Sequence, residues 1–267
     1  MTARRPLRLL SIAGSDPSGG AGLQADLKTF AAHRVYGMAV VTAITAQSTT
    51  GVLAVEPVAP DSVERQLRAV LDDIGVDAVK IGMLATAETV TRVARSLDGL
   101  APEVPIVLDP VLRASDGTPL IEPGGLERMA RELVPRVAVL TPNRAEAGAL
   151  LGRTVTSERE VAEAARELAA RGPAVLVTGG DAGGDEVVDV LVDRQGSATV
   201  FRASRLRSRS THGTGCTLSA ALAARLASGA ELAAAVGEAI DYVRRAMDPG
   251  LDLGRGRAPL DHGAGGG

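Results

Sequence analysis

Short apolar runs at residues 7–13, 78–81, 104–108, 137–140 and 174–177 each break off into a turn rich in glycine or carrying a polar or acidic residue. Most of these turns lead into segments whose apolar residues recur at helical spacing, as Leu23, Leu27 and Phe30 do after GSDPSGGAG. Val104–Leu108 has no polar alternation, the mark of a strand covered on both faces. Strand, turn and helix in succession call for an α/β fold with a mostly parallel central sheet and helices on both sides. Helices are expected from Asp61 to Asp72, from Thr86 to Leu97, over 157–170 and over 231–247. Two β-rich runs meet at the polar turn Ser48–Gly51, and a second pair, Glu186–Val192 and Ala198–Phe201, reads as an antiparallel edge hairpin. No long linker or internal repeat divides the 267 residues, so one doubly wound domain is expected, with a frayed glycine-rich tail from about 250.

The stretch THGTGCTLSAALAARL, residues 211–226, concentrates the chemistry. Gly213, Thr214 and Gly215 make a turn, and Leu218, Leu222 and Leu226 then follow helical spacing. Such a turn leaves N–H groups unpaired at the positive end of a helix dipole, where a phosphate binds. Cys216, the only cysteine, stands at that helix start, where its thiol pKa is expected to be lowered and the sulfur able to take a proton. The plainer alternative is a small residue packed beneath a tight turn.

Other candidates sit at strand ends. Gln47 closes a strand with a donor and an acceptor side by side, suited to the edge of an aminopyrimidine, although a surface role is the commoner one. Asp26 lies one turn into its helix, as a dipole-compensating carboxylate or, if it faces the pocket, as a ligand acceptor. Asp109 ends the 104–108 strand, where open α/β sheets bind ligands. Asn143 and Glu146 have the spacing of a capping box and, alternatively, of residues holding Mg2+-bound water. Gly14 and the glycines of 19–22 let backbone approach a ligand, Thr178-Gly179-Gly180-Asp181 forms a further glycine turn, and the 112–121 loop reads as a mobile cover.

Composition removes several function classes. Aromatic residues are limited to Phe30, Tyr36, Phe201 and Tyr242 and the net charge is −3, so neither stacking platforms nor a basic excess offers itself to nucleic acid. No apolar run approaches the roughly 20 residues of a membrane helix and no signal-peptide pattern is present, so a cytoplasmic location is expected. One cysteine excludes an internal disulfide, and His33, His212 and His262 lack metal-ligand spacing. Lysine occurs only at Lys28 and Lys80, which reads as genome composition and not as function.

SIAGSDPSGGAGLQADLKTF, TAITAQSTTGV, VKIGML, VLDPV, LTPNRAEA and THGTGCTLSAALAA, in this order, closely resemble the hydroxymethylpyrimidine/phosphomethylpyrimidine kinases of bacterial thiamine biosynthesis, members of the ribokinase-like superfamily. The resemblance implies a three-layer α-β-α sandwich, a homodimer, and transfer of the ATP γ-phosphoryl group to 4-amino-5-hydroxymethyl-2-methylpyrimidine and then to its monophosphate. It implies that Gly14, Asp26, Gln47, Met83 and Val111 line the pyrimidine pocket, that Gly213, Thr214, Gly215 and Cys216 form the catalytic turn, and that Asp109, Asn143 and Glu146 serve Mg-ATP. Thr178, Gly179 and Gly180 match the nucleotide turn, and Asp109 and Glu146 would hold Mg2+ through water. Pyridoxal/pyridoxine kinase is the nearest rival on this fold, and a non-catalytic pyrimidine-binding regulator the rival from another class. Departures from the usual pattern are Asp181 after the paired glycines, the loop around Arg113, and the final GRGRAPLDHGAGGG.

Overall fold

In the computed structural model, residues 5–248 and 250–264 are described. Among them, nine strands form one sheet in the order β3-β2-β1-β4-β5-β6-β7-β8-β9. The strands are β1 (Arg8–Ser15), β2 (Tyr36–Ser48), β3 (Gly51–Pro57), β4 (Ala78–Ile81), β5 (Ile106–Leu108), β6 (Val139–Leu140), β7 (Ala174–Val177), β8 (Glu186–Val192) and β9 (Ala198–Ser204). Pairing from β2 through β7 is parallel. Antiparallel strands close both edges, β3 at one and the β8–β9 hairpin at the other.

Strand alternation builds two cores. Leu10, Val79, Leu108, Leu140 and Val175 face one layer, while their neighbours Leu9, Ala78, Val107, Val139 and Ala174 face the other. The first layer packs on α2 (Pro60–Asp73), α3 (Ala87–Leu97), α5 (Arg144–Leu151) and α6 (Glu158–Ala169), together with α4 (Gly125–Arg128). The second packs on α1 (Gly22–Ala32), α7 (Thr214–Ala227) and α8 (Leu232–Met247). Each fully buried Leu or Phe, such as Leu9 and Phe30, contributes about 1.5–3 kcal/mol of transfer free energy, so both faces of the sheet are stabilised by burial.

Several element boundaries move for identifiable reasons. The 104–108 run pairs only from Ile106, because Pro105 lacks an N–H and Val104 turns back to Ala101. The 137–140 run pairs only over Val139–Leu140. The helix expected from Asp61 starts one residue earlier: Pro60 occupies the first helical position behind Ala59, and Asp61 bonds Arg92 at 3.1 Å. After α4 the chain widens into a π turn over Met129–Leu133 and tightens to a 3-10 turn over Val134–Arg136, a segment without a sequence signal of its own.

The tail corrects the expectation of fraying. Through residue 264 it is folded: β11 (Ala258–Pro259) pairs in parallel with β10 (Ser210–His212), directly before the glycine turn at 213–215. Ala258, Leu260 and His262 are buried, and Arg257 N–H and Gly256 N–H donate to Thr49 at the tip of the β2–β3 hairpin. A run rich in glycine and arginine offers no periodicity, so its docking rests on contacts made by other parts of the chain. The last three residues lie outside the described ones.

Candidate active site

The carboxyl ends of β1, β2, β4, β5, β6 and β7 open onto one cavity of about 1100 Å3. This is where an open α/β sheet binds ligands, because helix N-termini and strand-end loops converge there. Gly213 brings the turn into position. Its φ of 85° lies in the left-handed region, and a Cβ would stand 1.9 Å from the carbonyl oxygen of Gly20. Two loops therefore touch backbone to backbone, and only glycine fits. Thr217 N–H bonds back to Gly213 at 2.9 Å, so the amides of Thr214, Gly215 and Cys216 precede the ladder of α7, and all three residues line the cavity.

Cys216 is partly exposed at the cavity floor. Burial pushes its thiol up to about 12, while Lys80 and a hydrogen bond from Gly22 N–H pull the other way. The direction is opposite to the lowering expected at a helix start, because desolvation outweighs the pull of Lys80 and the Gly22 amide.

Gln47 and Cys216 line the same cavity. Thr45 Oγ1 donates to Gln47 Oε1 at 3.1 Å, and Gln47 Nε2 lies 3.4 Å from His212 Nε2. Met83 packs against Gly14, where a Cβ would meet its sulfur at 2.8 Å, and Thr42 Oγ1 donates to the Met83 carbonyl at 2.6 Å. Val111 completes this apolar wall. Asp26 does not face the ligand: it is fully buried below the cavity, bound to Lys80 Nζ at 2.9 Å through both oxygens and to Ser11 Oγ at 2.5 Å.

Asp109, Asn143 and Glu146 also line the cavity, with Asp109 beside the glycine turn: it accepts from Ser219 Oγ at 3.3 Å, and a Cβ on Gly215 would lie 3.7 Å from its carboxylate. Asn143 and Glu146 do form the capping box of α5, with both hydrogen bonds at 2.9 Å, and they line the cavity as well. Burial pushes Asp109 up to about 6, with Lys80 opposing. Glu146 is pushed up to about 8 by burial and then by the charge of Asp109. Thr178 and Gly180 line the cavity too, but Gly179 does not: a Cβ there would lie 2.3 Å from the Val188 carbonyl, and its N–H donates to Asp189 at 2.7 Å. Gly179 thus serves the close approach of the turn to β8. Arg205 donates to the carbonyls of Gly180, Ala182 and Gly184, fastening that same turn, and Arg209 bonds Asp252 of the tail.

Three participants escaped the sequence reading. Lys80 lines the cavity; a lone cation in the apolar strand AVKI was the available signal, because a buried lysine requires a partner. Asp16 gathers Ser18 N–H, Ser18 Oγ and Ala21 N–H at 2.9 Å and His212 Nε2 at 2.8 Å. Burial works against its charge, yet the bonds from His212 and Ser18 hold its carboxyl below the usual range. Asp189 receives the Gly179 amide from a strand that was read only as an edge.

A family model described as phosphomethylpyrimidine kinase matches residues 16–261. The hydroxymethylpyrimidine/phosphomethylpyrimidine kinase of Rhizobium meliloti (strain 1021) is 46% identical over 259 residues, covering 95% of this chain and 96% of the relative. Among solved structures, pyridoxal kinase from Staphylococcus aureus in complex with AMP-PCP and pyridoxal superposes with a TM-score of 0.88 at 35% identity, covering 97% of this chain and 95% of that one. Phosphomethylpyrimidine kinase from Clostridium difficile 630 gives 0.78 at 38% identity, covering 89% and 98%. The sheet closed by helices on both faces is the ribokinase-like α-β-α sandwich of these neighbours. Sequence, architecture and the placement of the glycine turn at one cavity agree: this chain belongs to the phosphomethylpyrimidine kinase family.

Proposed function

We propose that this protein uses ATP to phosphorylate the hydroxymethyl group of 4-amino-5-hydroxymethyl-2-methylpyrimidine, and then phosphorylates the resulting monophosphate, as a step of thiamine biosynthesis. The observation that carries the reading is the single cavity joining Gln47, the open amides before Cys216 and the carboxylates Asp109 and Glu146. One end suits a small heterocycle with an apolar wall and an amide, and the other suits a nucleotide held on backbone and acidic residues.

Transfer of a phosphoryl group depends mainly on placing the partners and stabilising charge. Gly14, Met83 and Val111 would sandwich the ring while Gln47 reads its edge. The amides of Thr214, Gly215 and Cys216 would face the negative charge that grows on the transferring group. Cys216 would accept the proton of the acceptor hydroxyl. Burial opposes the loss of its own proton, and Lys80 and Gly22 N–H are the groups that favour it. The monophosphate needs little deprotonation, so the second transfer depends less on Cys216.

Among the described residues no cluster of three or more His, Cys, Asp or Glu forms a ready metal cage. Asp109 and Glu146 nevertheless fit hydrated Mg2+, since the charge of Asp109 raises the proton affinity of the buried Glu146 and a dication would relieve that repulsion. They would hold its water shell, and the ion would supply charge neutralisation for the nucleotide phosphates. No helix of the described residues is long and apolar enough to cross a membrane. The reading includes a cytoplasmic location and a homodimer, for which exposed Leu53 and Ile44 on the β2–β3 hairpin offer an apolar edge.

Pyridoxal is the second substrate to consider, because a pyridoxal-bound kinase superposes over nearly the whole chain. ATP consumption measured side by side with hydroxymethylpyrimidine, its monophosphate and pyridoxal tests both readings. Turnover of the two pyrimidines well above that of pyridoxal is expected; turnover of pyridoxal alone would overturn the assignment.

A further inference from the structure

Asp16, His212, Gln47 and Thr45 follow one another along the wall of the cavity, and counting donors fixes the direction of their hydrogen bonds. Asp16 already accepts from Ser18 N–H, Ser18 Oγ and Ala21 N–H, each at 2.9 Å. His212 Nε2, 2.8 Å away, therefore carries a hydrogen and donates it to that carboxylate. The imidazole is buried and wedged in place, since a Cβ on Gly20 would stand 2.3 Å from its Cδ2. Gln47 comes next. With its amide nitrogen towards His212, at 3.4 Å, two N–H groups face each other. Thr45 Oγ1 would then have to serve both the Ser15 carbonyl at 3.0 Å and Gln47 Oε1 at 3.1 Å with a single hydrogen. The two ends of an amide are nearly equal in size, so its partners decide between the two orientations. Turned over, it satisfies every group: the carbonyl oxygen faces the His212 N–H, the NH2 group donates to Thr45 Oγ1, and the Thr45 hydrogen goes to Ser15. One lone pair and one N–H of the amide are left for a ligand.

This polarity has a consequence for the substrate. In 4-amino-5-hydroxymethyl-2-methylpyrimidine a ring nitrogen, the amino group and the hydroxymethyl group follow one another around the ring. An amide carbonyl on the His212 side takes the amine there, and the N–H on the Thr45 side meets the ring nitrogen. The hydroxymethyl group, next beyond the amine, is then carried towards Gly213, the residue that follows His212. We propose that Asp16 and His212 are positioning residues that fix the polarity of the Gln47 amide, so that the ring docks with its amine beside His212 and its alcohol at the glycine turn. The proposal rests on the reading of Gln47 as the group that meets the ring edge.

The 4-oxo analogue, 5-hydroxymethyl-2-methylpyrimidin-4-one, carries the opposite pattern, an oxygen in place of the amine and an N–H in place of the bare ring nitrogen. The quantity to measure is the ratio of kcat/KM for the amino compound to kcat/KM for this analogue, from ATP consumption. The parent is expected to favour the amino compound at least about 100-fold, since a fixed amide leaves the analogue's groups mispaired. His212→Phe removes the N–H and frees the amide to turn, so the ratio should fall at least about tenfold, while His212→Gln restores a donor and should stay within about threefold of the parent. A merely structural role for His212 would lower both kcat/KM values together and leave their ratio unchanged. Should His212→Phe fail to fold, Thr45→Val frees the other flank of the amide and is expected to lower the ratio at least about threefold. A parent ratio near one or below it, an unchanged ratio in the folded variants, or a crystal structure of the parent with the amine bound on the Thr45 side would overturn the proposal. Failure of the underlying reading shows separately: if Gln47→Ala keeps the parent ratio, some other group reads the ring.

Discussion

The two ends of the cavity are built on opposite electrostatic plans. At the Gln47 and Cys216 end every buried charge has a partner: Asp16 is satisfied by Ser18, Ala21 and His212, and Lys80 by Asp26. From Asp109, beside the turn, through Glu146 to Asp181 and Asp189, the cavity instead gathers carboxylates, and burial raises the carboxyl pKa of each. The first end is finished by the fold, fixed in geometry before any ligand arrives. The second carries negative charge that a hydrated dication and a nucleotide would complete, so its energetics depend on what is bound.

The largest predicted effect breaks the finished end. Lys80→Met alone leaves Asp26 buried without its cation and should lower unfolding free energy by about 3–5 kcal/mol in urea titrations, whereas the double variant with Asp26→Asn should recover most of the loss. An unchanged midpoint in the single variant would show that the pair is not desolvated. Next, Cys216→Ala should cut kcat for hydroxymethylpyrimidine about 100-fold or more, the usual range for a proton-transfer group, with a smaller loss on the monophosphate. Substrate binding by calorimetry should persist, and equal losses on both acceptors would contradict the proton role.

Acid probes the fastening behind the glycine turn. Burial, aided by the charge of Lys28, depresses His262 to about 4, and its Nε2 lies 3.1 Å from Thr217 Oγ1, one residue past Cys216. A depressed histidine is neutral in the fold but gains its proton near 6.5 when unfolded, so its contribution is intact above about pH 6.5 and is lost as pH falls towards 4. That loss should be about 2 kcal/mol, seen as a falling Tm over this window that His262→Gln flattens. A parallel decline in the variant would assign the effect to other groups. The smallest effect belongs to the unfinished end. Asp181→Asn removes a charge at the nucleotide turn and should lower KM for ATP about threefold, on the scale of one screened charge contact, leaving the pyrimidine KM unchanged.

Much of this was legible in the chain because it is local. Gly213 must be glycine, Asn143 and Glu146 must cap α5, and the strands alternate between two cores whatever the rest of the protein does. Legibility ended where meaning depends on a distant partner. Asp26 looked like a ligand group because its helix position was visible and Lys80, 54 residues on, was not visibly beside it. Gly179 looked like part of the nucleotide turn's inner wall, and only the approach of β8 shows that it faces backbone instead. The tail has no periodicity and no long apolar run, and it is ordered by β10 and Thr49.

Local pattern in the amino-acid sequence determined the α/β architecture, the glycine turn, the strand-end location of the site and the family, since hydrophobic period and turn stereochemistry act between near neighbours. The tertiary structure alone decided the direction of the Cys216 pKa shift, the pairing of Lys80 with Asp26 and the docking of the tail. Desolvation and Coulomb interaction depend on distances in space, and segments far apart in the chain set those distances only after they pack.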